Sequence, residues 1–333
     1  MTRPHANRAR PSAFLPAMLF FWSGCALAQT GLEPGCVIGQ PIVLPITFAY
    51  ADERPTIPGT IAGHPASVLV DTASSVSMLY RPALEKLGVK VRSSETNYPG
   101  QDILIANIPS LTVGPVSLKG YFTVLESKDD IAMRLGANYL ARSDHEIWWA
   151  GKQIQFTSPK GCRKSFLAAW DPAAHVVPFE TDQLKKDMRA WFKVKVNGRD
   201  VDTILDTNFP VSLMDLHTAA RFGITPESPG AVEEDAIVSW RDKAQRVWRV
   251  PVANMSIGSY HVQNATIRIM DLTLSGEMMT LGADFLRNHR VLVSMSQKRL
   301  YISHLGGPSF STPLSEPEAQ ATRCTTRECV TAP

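Results

Sequence analysis

Gly63-His-Pro-Ala-Ser-Val-Leu-Val-Asp71-Thr-Ala-Ser-Ser-Val-Ser-Met-Leu79 and Gly198-Arg-Asp-Val-Asp-Thr-Ile-Leu-Asp206-Thr-Asn-Phe-Pro-Val-Ser-Leu-Met214 align with each other at a constant offset of 135. The alignment continues without a gap to Leu87-Gly88-Val89 against Phe222-Gly223-Ile224. A later block, Leu135-Gly-Ala-Asn-Tyr-Leu140 against Leu281-Gly-Ala-Asp-Phe-Leu286, repeats at an offset of 146 that still holds at Ile154 and Leu300. Self-similarity over this span marks duplicated lobes, the second carrying about eleven extra residues.

Each lobe reads mainly as strand. Phe192-Lys-Val-Lys-Val196 alternates apolar and polar side chains, and Asn197-Gly198 supplies the hairpin turn into Val201-Asp-Thr-Ile-Leu205. Each Asp-Thr pair therefore follows a buried strand. Pro82–Leu87 and Leu216–Phe222 read as short helices closed by Gly88 and Gly223. Leu-Gly-Ala-Asn/Asp reads as strand, tight turn and helix N-cap, with Asn138 or Asp284 accepting from the first amides. A final hairpin turns at Ala150-Gly151 in one lobe and near Gln297-Lys298 in the other. The expected fold is mainly β, two lobes of β-barrel type related by a pseudo-two-fold repeat, with short helices.

The 333 residues suffice for two ordinary domains, and 44% hydrophobic with 20% charged residues describes a globular chain. The net charge of +3 comes from Arg3, Arg8 and Arg10, in a first stretch of 28 residues that lacks Asp and Glu. The rest is balanced, which argues against nucleic acid or anionic lipid as a partner. No apolar run is long enough to span a membrane. The basic start, the apolar stretch Phe14–Trp22 and Ala26-Leu27-Ala28 have the form of a cleavable export signal, giving a periplasmic or secreted protein that begins at Gln29. The alternative is a lipoprotein anchored at Cys25. The expected domains are a signal peptide (1–28), a first lobe (29–165), a second lobe (166–305) and a flexible tail (306–333).

Removing the leader leaves four cysteines, Cys36, Cys162, Cys324 and Cys329, an even count suited to disulfides in an oxidising compartment. A small tail loop between Cys324 and Cys329 would leave Cys36 to pair with Cys162, although the sequence leaves the connectivity open. Neither Cys-x-x-Cys nor His-Glu-x-x-His occurs, so no metal site is expected, and no cofactor motif is found.

The chemistry lies in the paired aspartates. Asp71 and Asp206 occupy the same point of both repeats, where a strand breaks into a turn, and a two-fold arrangement would bring them face to face. Two carboxyl groups about 3 Å apart cannot both ionise cheaply and share one proton. The pair then holds one base, able to draw a proton from water, and one acid, able to polarise a carbonyl.

At these residues the chain resembles the aspartic protease clan, in particular the bacterial retropepsin-like members that carry both lobes in one chain, over roughly residues 41–303. The carriers are Val-Leu-Val-Asp71-Thr72-Ala73-Ser74, Ile-Leu-Asp206-Thr207-Asn208 and the two Leu-Gly-Ala segments. The resemblance implies an aspartic endopeptidase with Asp71 and Asp206 as its dyad. Thr72 and Thr207 would interlock hydroxyls with backbone beneath the dyad, and the Ser74 hydroxyl would support the first Asp. Gly136 and Gly282 would lie in the strand crossing under each loop. The family's Asp-Thr/Ser-Gly is broken by Ala73 and Asn208, where a Cβ would crowd the loop and a positive φ would be costly for Ala. That departure motivates an alternative, a catalytically silent protein that binds peptides or an envelope partner through the same cleft; a third reading is an envelope structural module without any ligand. Tyr98-Pro99-Gly100 has the turn chemistry for a flap over the cleft. In the second lobe Pro229-Gly230 is the comparable turn, and Trp240 and Trp248 flank a polar insertion that would line the cleft. The expected substrate is an extended polypeptide and the expected state a monomer.

Overall fold

The computed structural model describes residues 32–49, 54–98, 101–126, 131–238, 244–271 and 276–311. Within them the chain is mainly β and forms two pseudo-repeated lobes joined by a shared sheet. The first lobe's sheet runs in the order Thr47–Ala49, Arg54–Ile61, His64–Val70, Met133–Leu135, Met78–Tyr80, Val116–Leu125, Gln101–Val113, Val91–Tyr98. The second repeats that order with Glu180–Asp182, Asp187–Val196, Arg199–Leu205, Met278–Leu281, Leu213–Asp215, Thr266–Met270, Ala244–Pro251 and Val232–Val238.

The register carries the duplication down to single residues. Val70 pairs with Leu135 in parallel, and Leu205 pairs with Leu281 in parallel. The two hairpin turns also match: Ala62 and Asn197 both take φ near +50°, and both are followed by a glycine at φ +82°. A left-handed pair of this kind gives a two-residue turn whose twist suits the flanking strands. The helices form at Arg81–Lys86 and Leu216–Arg221, where Gly88 and Gly223 at positive φ let the chain turn back.

The shared sheet has the order Ile42–Pro45, Gln153–Thr157, Asp144–Trp148, His289–Ser294, Arg299–His304, His175–Pro178. Its two halves meet where Glu146 pairs with Leu292, residues 146 apart, so the pseudo-dyad passes through that pair. The terminal hairpins turn as the sequence predicts, with Lys152 and Lys298 at matching positive φ. One continuous core runs through both lobes and over this floor, including Leu79, Leu135, Ile147, Leu281 and Val291, all essentially inaccessible. Full burial of each such side chain is worth about 1.5–3 kcal/mol relative to exposure, which binds the lobes into one unit.

Cys36 and Cys162 form a disulfide with a Cα separation of 4.5 Å, closing the first lobe onto its N-terminal segment. Cys25, Cys324 and Cys329 lie outside the described residues. The start of the segment expected to be a flexible tail is packed: Ser309 and Phe310 are buried, and the Ser311 amide donates to the Asp284 carbonyl. An aromatic side chain at 310 supplies the apolar area that the Ser- and Pro-rich composition conceals.

Candidate active site

Asp71 and Asp206 each stand one residue past a lobe-centre strand. The amide of Asp71 still donates to the Leu135 carbonyl at 3.0 Å, and that of Asp206 to Leu281 at 2.8 Å. The sheet thus fixes both backbones before the chain turns. The turns are Asx turns: Oδ1 of Asp71 accepts from the amides of Ala73 (3.1 Å) and Ser74 (2.9 Å), and Oδ1 of Asp206 accepts from Asn208 (3.1 Å).

Thr72 and Thr207 cross between the lobes beneath the carboxylates. The Thr72 hydroxyl donates to the Leu205 carbonyl (2.7 Å) and accepts from the Thr207 amide (3.2 Å). The Thr207 hydroxyl donates to the Val70 carbonyl (2.6 Å) and accepts from the Thr72 amide (3.2 Å). Four backbone groups that both turns would otherwise leave unpaired are satisfied by two hydroxyls, each from the opposite lobe.

Gly136 and Gly282 lie directly under these turns. A Cβ on Gly136 would stand 2.7 Å from the Val76 carbonyl, and one on Gly282 would stand 2.5 Å from that of Val211. Their amides donate to the hydroxyls of Ser77 and Ser212, both at 2.9 Å. Here the helix N-cap expectation for Asn138 and Asp284 fails. Gly136 and Gly282 are the N-cap residues, and the Oδ1 atoms of Asn138 and Asp284 instead accept from the amide and hydroxyl of Ser77 and Ser212 at 2.7–2.8 Å. The Asn138 side chain serves the turn that carries Asp71 rather than its own helix, while Oδ1 of Asp284 serves the Asp206 turn and also accepts from the Phe285 amide of its own helix at 2.8 Å.

The substituted glycines turn out to be compatible with this geometry. Neither Ala73 nor Asn208 is among the described non-glycine residues at positive φ, and both amides still reach their carboxylates. The Asn208 side chain does more than tolerate its place: Nδ2 donates across the cleft to Oδ2 of Asp71 at 3.2 Å. The hydroxyl of Ser74 donates to the Val76 carbonyl, so Ser74 reaches Asp71 through its amide and not through the hydroxyl that the resemblance implied.

The electrostatics differ between the two sites. Burial raises the pKa of Asp71, opposed by Arg134 and by the donors Ser74, Ala73 and Asn208. Burial and then the charge of Asp71 push Asp206 up to about 7, against the Asn208 and Phe209 amides and Arg189. With burial raising both groups and the charge of Asp71 raising Asp206 further, the pair holds one proton near neutrality, and the donors and the cation gathered on Asp71 place that proton on Asp206.

Sequence reasoning missed two arginines here. Arg134, with Nε 3.8 Å from Oδ2 of Asp71, interrupts the apolar run Ile131-Ala-Met-Arg-Leu135, a visible anomaly in a buried strand. Arg189 is held by Asp187, lies over the Trp191 ring and donates from Nη1 to the Ala73 carbonyl in the other lobe; only the fold brings it there. The residues expected to form a flap fall at the hairpin of Val91–Tyr98 and Gln101–Val113, where Tyr98 pairs with Gln101. Pro99 and Gly100 lie outside the described residues, as does Trp240. Trp248 sits in the second lobe's hairpin under Arg246, and Gly230 precedes that hairpin.

Two family models match the chain, one in each lobe. A model described as aspartyl protease matches residues 57–139, and one described as gag-polyprotein putative aspartyl protease matches residues 192–288. Each match begins in the first strand of the hairpin that leads to an Asp-Thr turn and runs through the Leu-Gly-Ala segment beneath it. No curated protein matches the chain.

Proposed function

This chain belongs to the retropepsin-like aspartic protease clan, and from that premise we propose that it is an exported aspartic endopeptidase whose catalytic groups are Asp71 and Asp206. The observation that carries the reading is the pair itself: two carboxyl groups at equivalent points of the two lobes, the second raised to about 7 partly by the first. Asp71, the ionised member, takes a proton from water as the water oxygen attacks the scissile carbonyl carbon, while Asp206 gives its proton to the carbonyl oxygen. Collapse of the tetrahedral intermediate breaks the C–N bond; the proton held on Asp71 passes to the leaving nitrogen, and a hydroxyl proton of the intermediate returns to Asp206. Thr72 and Thr207 hold the carboxylates in place, assisted by the Ser74 amide. The hairpin carrying Tyr98, Pro99 and Gly100 covers an extended polypeptide and excludes water. Export, with residues 1–28 as leader, is supported by the Cys36–Cys162 disulfide, and a monomer by the fact that one chain contributes both aspartates.

Asp71→Asn and Asp206→Asn should each reduce cleavage of a denatured protein at least a thousandfold, assayed from acidic to neutral pH. Undiminished cleavage by either variant rejects the assignment. One contact favours the silent alternative: Asn208 Nδ2 occupies an oxygen of Asp71 that water would use. Peptide binding without hydrolysis by the wild-type protein, retained in the double Asp variant, would establish that alternative instead.

A further inference from the structure

Arg134 is the middle residue of the strand Met133–Leu135, whose other two side chains are fully buried. Strand alternation turns Arg134 to the opposite face, where Asp71 lies. Its counterpart in the repeat is Thr280. Leu69 and Met78 pair with Arg134 as Ile204 and Leu213 pair with Thr280. The two residues therefore occupy matching places on the two walls beside the aspartates.

Both carry donors left unused among the described residues, where Nε of Arg134 and Oγ1 of Thr280 are buried without a hydrogen-bond partner. The hydrogen bonds of Asp71 do not involve the guanidinium, since Oδ1 accepts from two amides and Oδ2 from Asn208, while Arg134 Nε stays at 3.8 Å, close enough to act by charge but beyond hydrogen-bond length. The other contact, from Nη2 to the Met78 sulfur at 3.3 Å, uses a weak acceptor. Structural arginines in this chain look different. Arg268 spends Nε, Nη1 and Nη2 on the carboxylates of Glu234 and Asp284. An apolar substrate side chain laid on Arg134 would strip water from a cation that has no hydrogen-bonded anion, which is costly, whereas a carboxylate would give it the bidentate partner it lacks.

Resting on the hydrolytic reading above, we propose that Arg134 determines specificity by admitting an acidic side chain, Asp or Glu, at the substrate residue that flanks the scissile bond on the first lobe's side. The test is cleavage-site mapping by mass spectrometry on a randomised peptide library, paired with calorimetric binding of two hydroxyl-containing transition-state mimics that differ only in Glu against Gln at that residue. The wild-type protein should enrich Asp and Glu about tenfold at one position next to the cut and bind the Glu mimic about tenfold more tightly. Arg134→Leu should bring both ratios close to one, Arg134→Lys should keep part of them, and Arg134→Glu should shift the preference to Lys and Arg. Cleavage with no acidic preference, or a preference that survives Arg134→Leu, overturns the inference and leaves hydrolysis standing. No cleavage with the Glu preference intact in binding overturns hydrolysis and keeps the inference; no preference in either measurement overturns the inference.

Discussion

Replacing Thr207 by Val or by Ser separates burial from hydrogen bonding at the junction of the lobes. Thr207 is almost inaccessible, at 1% exposure, and its hydroxyl donates to the Val70 carbonyl and accepts from the Thr72 amide. Valine has nearly the shape of threonine, so Thr207→Val opens no cavity and adds apolar surface to a buried place. It leaves two backbone groups of the opposite lobe without partners, each costing about 1–3 kcal/mol. Because Thr72 is only half-buried, its unpaired amide falls at the low end of that range, and the sum expected is about 2–4 kcal/mol. Thr207→Ser keeps both hydrogen bonds and loses one methyl group, about 1 kcal/mol. If apolar burial governed the site, the valine variant would be the more stable of the two; if the hydroxyl bridges govern it, the serine variant is more stable by at least about 1 kcal/mol. Urea unfolding followed by tryptophan fluorescence and by circular dichroism reads the difference as the shift in midpoint multiplied by m, provided the two signals coincide. A valine variant as stable as the serine variant refutes the account of how the lobes are locked.

Two further outcomes are expected. Asp206 holds its proton up to about pH 7 in the folded chain, whereas an unfolded aspartate releases it near 4. Its contribution to stability is therefore complete below about pH 4 and lost as pH rises to about 7, so the urea midpoint should fall over that window in the wild type and flatten in Asp206→Asn. Asp284→Asn, which copies Asn138 of the first lobe, should keep the Ser212 bonds yet deprive buried Arg268 of a partner, costing about 3 kcal/mol. Adding Arg268→Met should recover more than half of that loss in the same urea titration.

Duplication made the fold readable from one sequence, because a repeat in constant register is a statement about three-dimensional symmetry. Asp71 and Asp206 could be paired from their offset alone, and Gly136 with Gly282 likewise, since their close approach to Val76 and Val211 admits no other residue. Side-chain direction was less legible. Asn138 follows a turn into a helix, a pattern that local chemistry reads as a cap, yet the turn that carries Asp71 offers Ser77, and the tertiary contact wins. Ser74 shows the same limit at shorter range, where a nearby carbonyl takes the hydroxyl and the amide serves the carboxylate. Arg189 was out of reach entirely: its partner in the other lobe is 116 residues earlier in the chain, and no local period connects them.

The places where the two halves no longer match are those that tell the two carboxyl groups apart. Asn208 stands where the first lobe has Ala73, and its amide crosses to Asp71 with no return bond from the other side, because a methyl group cannot donate. Arg134 stands where the second lobe has Thr280, so a cation adjoins Asp71 from a position that holds only a hydroxyl in the second lobe, and the charge of Arg189 is the smallest of the influences on Asp206. Both differences favour negative charge on Asp71, and that charge in turn raises Asp206. Two identical lobes would present identical surroundings and leave the proton equally at home on either side. A duplicated gene can vary each half separately, and here both variations act in one direction, favouring the negative charge on Asp71 over Asp206.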